Sequence, residues 1–276
     1  MDTSLEQLAR QAQQGNRQAL EQLVDQIQDK VYGLALRILW HPEDARDATQ
    51  DILIRIITHL GSFRGESRFT TWVYRVAANY LSDMRKSRLE EQHYTFIRFG
   101  AELDQHLSDA PRSNGLPVHD ALLLEEIKIG CTLGLLLCLD RAQRLAYILG
   151  EILEIESREA AEILGITPLA FRQRLSRARV EIITFMKQKC GLVNPAVPCR
   201  CRRRVNYAIQ SGRLKPQQLL FARDAERAAH FPEVLSEIRK LEEVRRSAAL
   251  YRAQPHGACP ESFVKLVREL ISAKKL

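Results

Sequence analysis

No stretch of this 276-residue chain approaches the ~20 consecutive apolar residues that a bilayer crossing requires, and the most apolar candidate, ILGEILEI at 148–155, is broken by charge. The opening MDTSLEQLAR lacks a basic segment followed by an apolar one, which predicts no export and a cytoplasmic location. Six cysteines without an export signal then read as thiols or metal ligands in a reducing compartment, not as disulfides. No strand-like alternation of any length appears, and no repeat period. There is no H-E-x-x-H, no G-x-S-x-G and no glycine-rich phosphate loop, and the seven histidines are scattered. The chain is therefore not expected to be an enzyme. Nor does acidity dominate: 41 Lys and Arg against 34 Asp and Glu leave a net charge of +7, which leans toward an anionic partner.

What is present is helix. Apolar residues recur at spacings of three and four from Leu5 to Leu39, interrupted at Gly15-Asn16. A further helix opens at Pro42, with Glu43 and Asp44 placed to meet the positive end of its dipole, and stops at Gly61. The pattern lapses in GAELDQHLSDAPRSNGLPV and resumes from about Asp120 to Gln188. After CGLVNPAVPCRCRRR it returns once more, punctuated by Pro216, Pro232 and Pro260. This predicts an all-α protein: helical domains over 1–98 and 120–189, a linker over 99–119, and a helical C-terminal extension over 190–276.

Two segments carry chemistry. FRGESRFTTWVYRVAANYLSDMRKSR, Phe63 to Arg88, interleaves aromatic and cationic side chains. At 100° per residue, Val73, Val76, Ala77, Tyr80, Leu81 and Met84 share one broad face. Trp72, Arg75, Asn79, Ser82, Asp83 and Lys86 share another. Rings that stack on unpaired bases, cations for phosphates, and Asn79 and Asp83 for base edges suit melted nucleic acid. The same spacing also suits a core tryptophan beneath solvated charges. The second segment is SREAAEILGITPLAFRQRLSRARVEI, Ser157 to Ile182. A short helix ends at Gly165, Thr167 caps a new one with Pro168 in its first position, and Leu169, Phe171, Leu175 and Val180 give that helix an inner face. Arg172, Arg174, Arg177 and Arg179 crowd its outer side. That is the pattern of a helix-turn-helix, or of an amphipathic helix with a charged solvent face.

In this order the two segments resemble an extracytoplasmic-function sigma factor of bacterial RNA polymerase. Glu43, Asp44, Ala45, Asp47 and Gln50, followed by Phe63 to Asn79 and a basic tail, resemble sigma domain two. LGITPLAFRQRLSRAR resembles the helix-turn-helix of sigma domain four, departing at Leu169 and Ala170, where Gly-Thr is usual. The resemblance implies a transcription initiation factor. Its partners would be core RNA polymerase, through the β′ clamp and β flap, promoter DNA and, in this family, an anti-sigma factor. Asp44, Asp47, Gln50 and Ile54 would face the polymerase. Phe63, Arg64, Phe69, Trp72, Tyr74, Arg75, Asn79, Asp83 and Lys86 would melt and hold the −10 element. Thr167, Arg172, Gln173, Arg174, Arg177 and Arg179 would meet the −35 element. The rival reading is a helix-turn-helix repressor or activator acting without polymerase; it leaves the aromatic segment unexplained.

Minimal members of that family end near the position of Gln188, so the extension needs its own account. Cys190, Cys199 and Cys201 stand close together among prolines and arginines. Three such thiols could bind zinc or copper with Cys259 or His230 as fourth ligand, form a redox-sensitive pair, or be structural. Cys131 and Cys138 read as core on an apolar helix face. No cofactor is otherwise expected. The helices beyond Val205 could fold back on the two domains as a built-in inhibitor, recruit a partner, or only add stability.

Overall fold

In a computed structural model, residues 4–85, 90, 94–108, 117–255, 259–260 and 262–272 are described. Among them are thirteen α-helices and no strand. They belong to two compact units: residues 1–85, 148–174 and 255–276 form one, and residues 86–147 and 175–254 the other. These units cut across the domains expected from sequence, because the start of the helix-turn-helix and the last helix both belong with the N-terminal helices.

The first unit is built on α1 (Leu5–Gln13), α2 (Arg17–Leu39), α3 (Pro42–Thr58) and α4 (Phe69–Asp83). Ser4 and Gln7 form a reciprocal capping box at the start of α1. Gly15, at φ +88°, turns the chain, and Asn16 caps α2. Leu23, Val24, Ile27, Val31, Leu34 and Ile38 give α2 a buried stripe, met by Ile52, Leu53 and Ile56 of α3 and by Val73, Ala77 and Leu81 of α4. Each such side chain contributes about 1.5–3 kcal/mol on burial, so this stripe holds the unit. Helix α3 ends at Thr58, and a 3-10 turn over Leu60–Ser62 follows, so Gly61 lies in the turn after the helix stop. Later in the chain come α8 (Ser157–Ile163), the first turns of α9 (Pro168–Lys189), and α13 (Val264–Ser272). Helix α13 lies along α2. Gln28 accepts from the Phe263 amide at 2.9 Å, Arg268 pairs with Glu21 at 2.7 Å, and Phe263 and Val267 are buried.

The second unit contains α5 (Phe96–Gln105), α6 (Pro117–Leu137), α7 (Arg141–Tyr147), the remainder of α9, α10 (Cys201–Gln210), α11 (Ala225–Lys240) and α12 (Glu243–Arg252). Helix α5 occupies the first third of the segment expected to be a linker, residues 99–105. Its Phe99 and Leu103 are buried, so an apolar pair one turn apart outweighed the glycine and acidic residues that read as loop. Residues 109–116 of that segment lie outside the described residues. Leu123 and Ile127 of α6 pack with Val205 and Ala208 of α10 and with Leu214 in one apolar cluster. Glu126, buried on α6, accepts the backbone amides of Leu220, Phe221 and Ala222, each at 2.8 Å. Tyr251 of α12 donates to the Thr132 carbonyl at 2.9 Å. Pro232 sits inside α11 without ending it, contrary to its expected role as a stop.

Candidate nucleic-acid interface

The aromatic segment is organised from below by α1. Gln13 donates from Nε2 to the carbonyls of Leu60 and Phe63, at 2.9 and 2.8 Å, and so fixes the loop before α4. Glu6 accepts the Phe69 amide at 3.1 Å, which caps α4 from another helix; that bond holds the Glu6 carboxyl below its ordinary range. Between these two anchors Gly65 turns the chain at φ +76°, a conformation that glycine reaches without strain.

Phe63 and Phe69 are buried, not exposed to a ligand. Their rings stand 5.0 Å apart edge to face, and Trp72 leans on both, 5.8 Å from Phe63 and 5.6 Å from Phe69. Trp72 itself stays half-buried. Two rings therefore form a pedestal and the third a platform. Tyr74 turns inward: burial pushes its phenol up, against the opposing charge of the buried Arg37. Tyr80 donates to Asp51 at 2.5 Å beneath the Arg55 guanidinium, and burial together with that bond raises its phenol to about 12. Tyr80 thus clasps α4 to α3. Arg64, Asn79 and Asp83 are exposed, while Lys86 lies outside the described residues.

Two cations of this surface are taken up within the chain. Arg75 reaches Glu162 of α8 through its side chain at 2.7 Å and the Glu162 carbonyl at 3.2 Å. Arg68 and Thr71 both meet Glu159. These glutamates were not legible as partners, since nothing in the sequence ties α8 to α4.

On α3, Asp44 and Asp47 are exposed and Gln50 and Ile54 half-exposed, along one flank. Ala45, Ala48, Thr49, Ile52 and Leu53 fill the opposite flank. Helix α8, a turn at Gly165 (φ +62°) and α9 form a helix-turn-helix, with Thr167 Oγ1 accepting the Ala170 amide at 3.2 Å. Phe171 and Leu175 are buried as expected, but Leu169 and Val180 are 58% and 62% exposed and do not belong to an inner face. The period assigned them inward, but both face solvent, one at the second residue of α9 and the other past its middle. Thr167, Arg172, Gln173, Arg177 and Arg179 are exposed, and Arg174 is half-buried.

Chemically, a propped indole beside guanidinium, amide and carboxylate groups can stack an unpaired base and hold its phosphate, whereas a basic exposed helix after a tight turn can enter a groove. The model of sigma-70 region 2 matches residues 23–89. RNA polymerase sigma factor NccH of Alcaligenes xylosoxydans is 30% identical over 66% of this chain and 94% of its own length. The chain belongs to the RNA polymerase sigma factors. It is of the extracytoplasmic-function type: sigma factor SigW of Bacillus subtilis is 27% identical over 65% of this chain and 95% of its own, and the sigma-E factor of Haemophilus influenzae is 30% identical over 62% and 89%. A repressor acting without polymerase is correspondingly disfavoured. Between 34% and 38% of this sigma factor lies outside the matches to these three relatives.

The cysteines fall differently from expectation. Cys259 belongs to the first unit, its amide donating to Asp29 at 2.8 Å, and His230 is exposed on α11 beside Glu233. Cys190, Cys199 and Cys201 lie in the second unit, where the cysteine beside them is Cys131. No disulfide is formed, and none of the helices among the described residues is long and apolar enough to cross a membrane.

Proposed function

We propose that this sigma factor binds core RNA polymerase and directs it to promoters through a division of labour along the chain. Asp44, Asp47, Gln50 and Ile54 of α3 dock on the β′ clamp, and the helix-turn-helix end contacts the β flap. Trp72, Arg75, Asn79 and Asp83 hold the displaced strand of the −10 element, with Phe63 and Phe69 acting beneath as support. Arg172, Gln173 and Arg177 meet the −35 element in the major groove, and Thr167, Arg174 and Arg179 hold its backbone. The observation that carries this reading is the half-buried Trp72 ring on its aromatic pedestal at the edge of a polar helix face. A core tryptophan would need no pedestal, and a solvated face would place no ring there. We assign the extension a regulatory part, because α13 lies along α2, the neighbour of the polymerase-facing α3. An anti-sigma protein would then act in addition to control in cis.

The test is transcription with purified core polymerase and permanganate footprinting of unpaired thymines. Trp72→Ala should keep polymerase binding and lose melting. Normal footprints from the variant would return Trp72 to a purely structural role.

A further inference from the structure

The charge of the chain is not spread evenly. Residues 190–276 hold 17 of the 41 Lys and Arg but only 8 of the 34 Asp and Glu, so the extension carries +9 and the rest of the chain −2. Of that excess, +7 falls in residues 190–254, all within the second unit. No Asp or Glu occurs between Glu181 and Asp224, a stretch with nine Lys and Arg. Such a concentration fits a polyanion. We propose that the extension makes a DNA contact of its own: an arginine surface formed by residues 193–203 and the junction of α11 with α12 binds the phosphate backbone of duplex DNA beside the −35 element. Its place beside that element rests on α9 reading the −35 sequence; the contact with a duplex does not.

Hydrogen bonds bring the two segments together. Arg246 of α12 donates to the carbonyls of Val193, Leu241 and Arg239, at 3.1, 3.1 and 3.0 Å. Arg200 donates to those of Pro195 and Cys199, at 2.7 and 2.9 Å, and Arg203 to that of Pro198 at 2.9 Å. A neutral carbonyl orients a guanidinium without cancelling its charge. The carboxylates of the junction, Glu237, Glu242 and Glu243, pair instead with Lys240, Arg245 and Lys187, at 2.6, 3.9 and 2.9 Å. They do not answer Arg200, Arg202, Arg239 or Arg246. Arg202 and Arg239 are exposed and can reach a phosphate, while the half-buried Arg200 and Arg246 add their field behind them. Asn194 donates from Nδ2 to the Lys187 carbonyl at 2.8 Å, which fastens this surface to the last turn of α9. Lys187 lies ~15 Å along that helix from Arg177, a span that duplex DNA covers in about four base pairs. An unpaired strand would call for rings to stack on, and none of these residues supplies one. A duplex asks only for cations at its phosphates.

The test is binding of the full chain to a labelled duplex of random sequence, followed by anisotropy across a salt series. Arg202→Gln with Arg239→Gln should flatten the slope of log K against log salt by about 2, near 0.9 for each lost phosphate contact, and weaken binding roughly 10–100-fold at ~0.1 M salt. Arg202→Lys with Arg239→Lys keeps the charge and should retain most of the slope, which separates lost contact from lost structure. Selections from randomised −35 elements should return the parent's preference from the Gln pair, since a backbone contact carries no sequence information. Leu241 and Val244 are 38% and 51% exposed at the same junction, so phosphatidylserine vesicles serve as the rival partner. The proposal is overturned if the parent does not bind the duplex, if the Gln pair keeps the parent's slope or the Lys pair loses it, if single-stranded DNA loses more than duplex, or if the Gln pair loses vesicles and not the duplex. Arg172→Gln and Arg177→Gln keep the two readings apart: unchanged −35 choice in both would remove the assignment of α9 and leave the duplex result standing.

Discussion

At the scale of single residues, the platform separates support from contact. Phe69 is fully buried, so Phe69→Ala should cost about 3–5 kcal/mol in a denaturant titration. Trp72→Ala, half-buried, should cost less stability and more melting activity. If both variants lose stability equally, the distinction between pedestal and platform fails. Glu6 offers a pH test. Its carboxyl is held below the ordinary value of 4.5 by the Phe69 amide, so its contribution is present above that value and lost as pH falls through the lower folded one. Melting temperatures of the parent and Glu6→Gln should therefore differ near neutrality and converge in acid. Parallel curves would mean that the bond to Phe69 contributes nothing.

At the scale of elements, α8 occupies cationic groups of the surface on which the proposed −10 contact relies. Arg68 is largely exposed in its pair with Glu159, and Arg75 and Glu162 are both partly solvated. Such pairs are worth ~0.2–1 kcal/mol each, while burial of Ile163 alone is worth more. Removing the charges should thus leave α8 in place and free the arginines. Glu159→Ala with Glu162→Ala should tighten binding of the isolated chain to a labelled single-stranded −10 oligonucleotide by roughly 2–30-fold if the two pairs add. Unchanged anisotropy curves would show that the pairs do not compete. On α9, loss of a bidentate base contact at Arg172 or Arg177 should cost ~1–3 kcal/mol and relax choice at one or two bases in selections from randomised −35 elements; a uniform loss would reassign that arginine to phosphate.

Much of this was legible beforehand, for identifiable reasons. The breaks at Gly15 and Gly165, the Thr167 cap and Pro42 at a helix start are local rules, and the chain obeys them. The aromatic segment was legible as a composition but not as a geometry: helical period alone cannot say that Phe63, which precedes α4, folds under it. Leu169 and Val180 were misread because helical period alone does not say how wide the covered stripe of a helix is. Cys131 was read as core, and it packs beside Cys201 against the apolar cluster that α6 forms with α10.

At the scale of the whole molecule, the extension is part of the fold rather than an addition to it. Helix α10 supplies Val205 and Ala208 to the cluster around Leu123 and Ile127, and Glu126 accepts the amides of residues 220–222. Ending the chain at Lys189 would expose that apolar face and leave a buried carboxylate without those donors. The truncated chain should lose more helicity by circular dichroism than the deleted residues carry, and should self-associate. A soluble, fully helical truncation would show the two sigma domains to be independent of the C-terminal extension.

The anchoring of the platform by α1 has a consequence in time. The partners of Gln13 lie 47 and 50 residues further on, and that of Glu6 lies 63 residues on. At ~5–20 residues per second of synthesis, α1 waits roughly 3–10 s before its targets exist. A nine-residue helix is marginal in water by itself. Through that interval it has α2 to pack against, but not yet the loop that it will later hold. The support of the stacking surface is thus complete only once Phe69 is made, although α1, which provides it, is among the earliest segments, and α8 and α13 of the same unit follow later still.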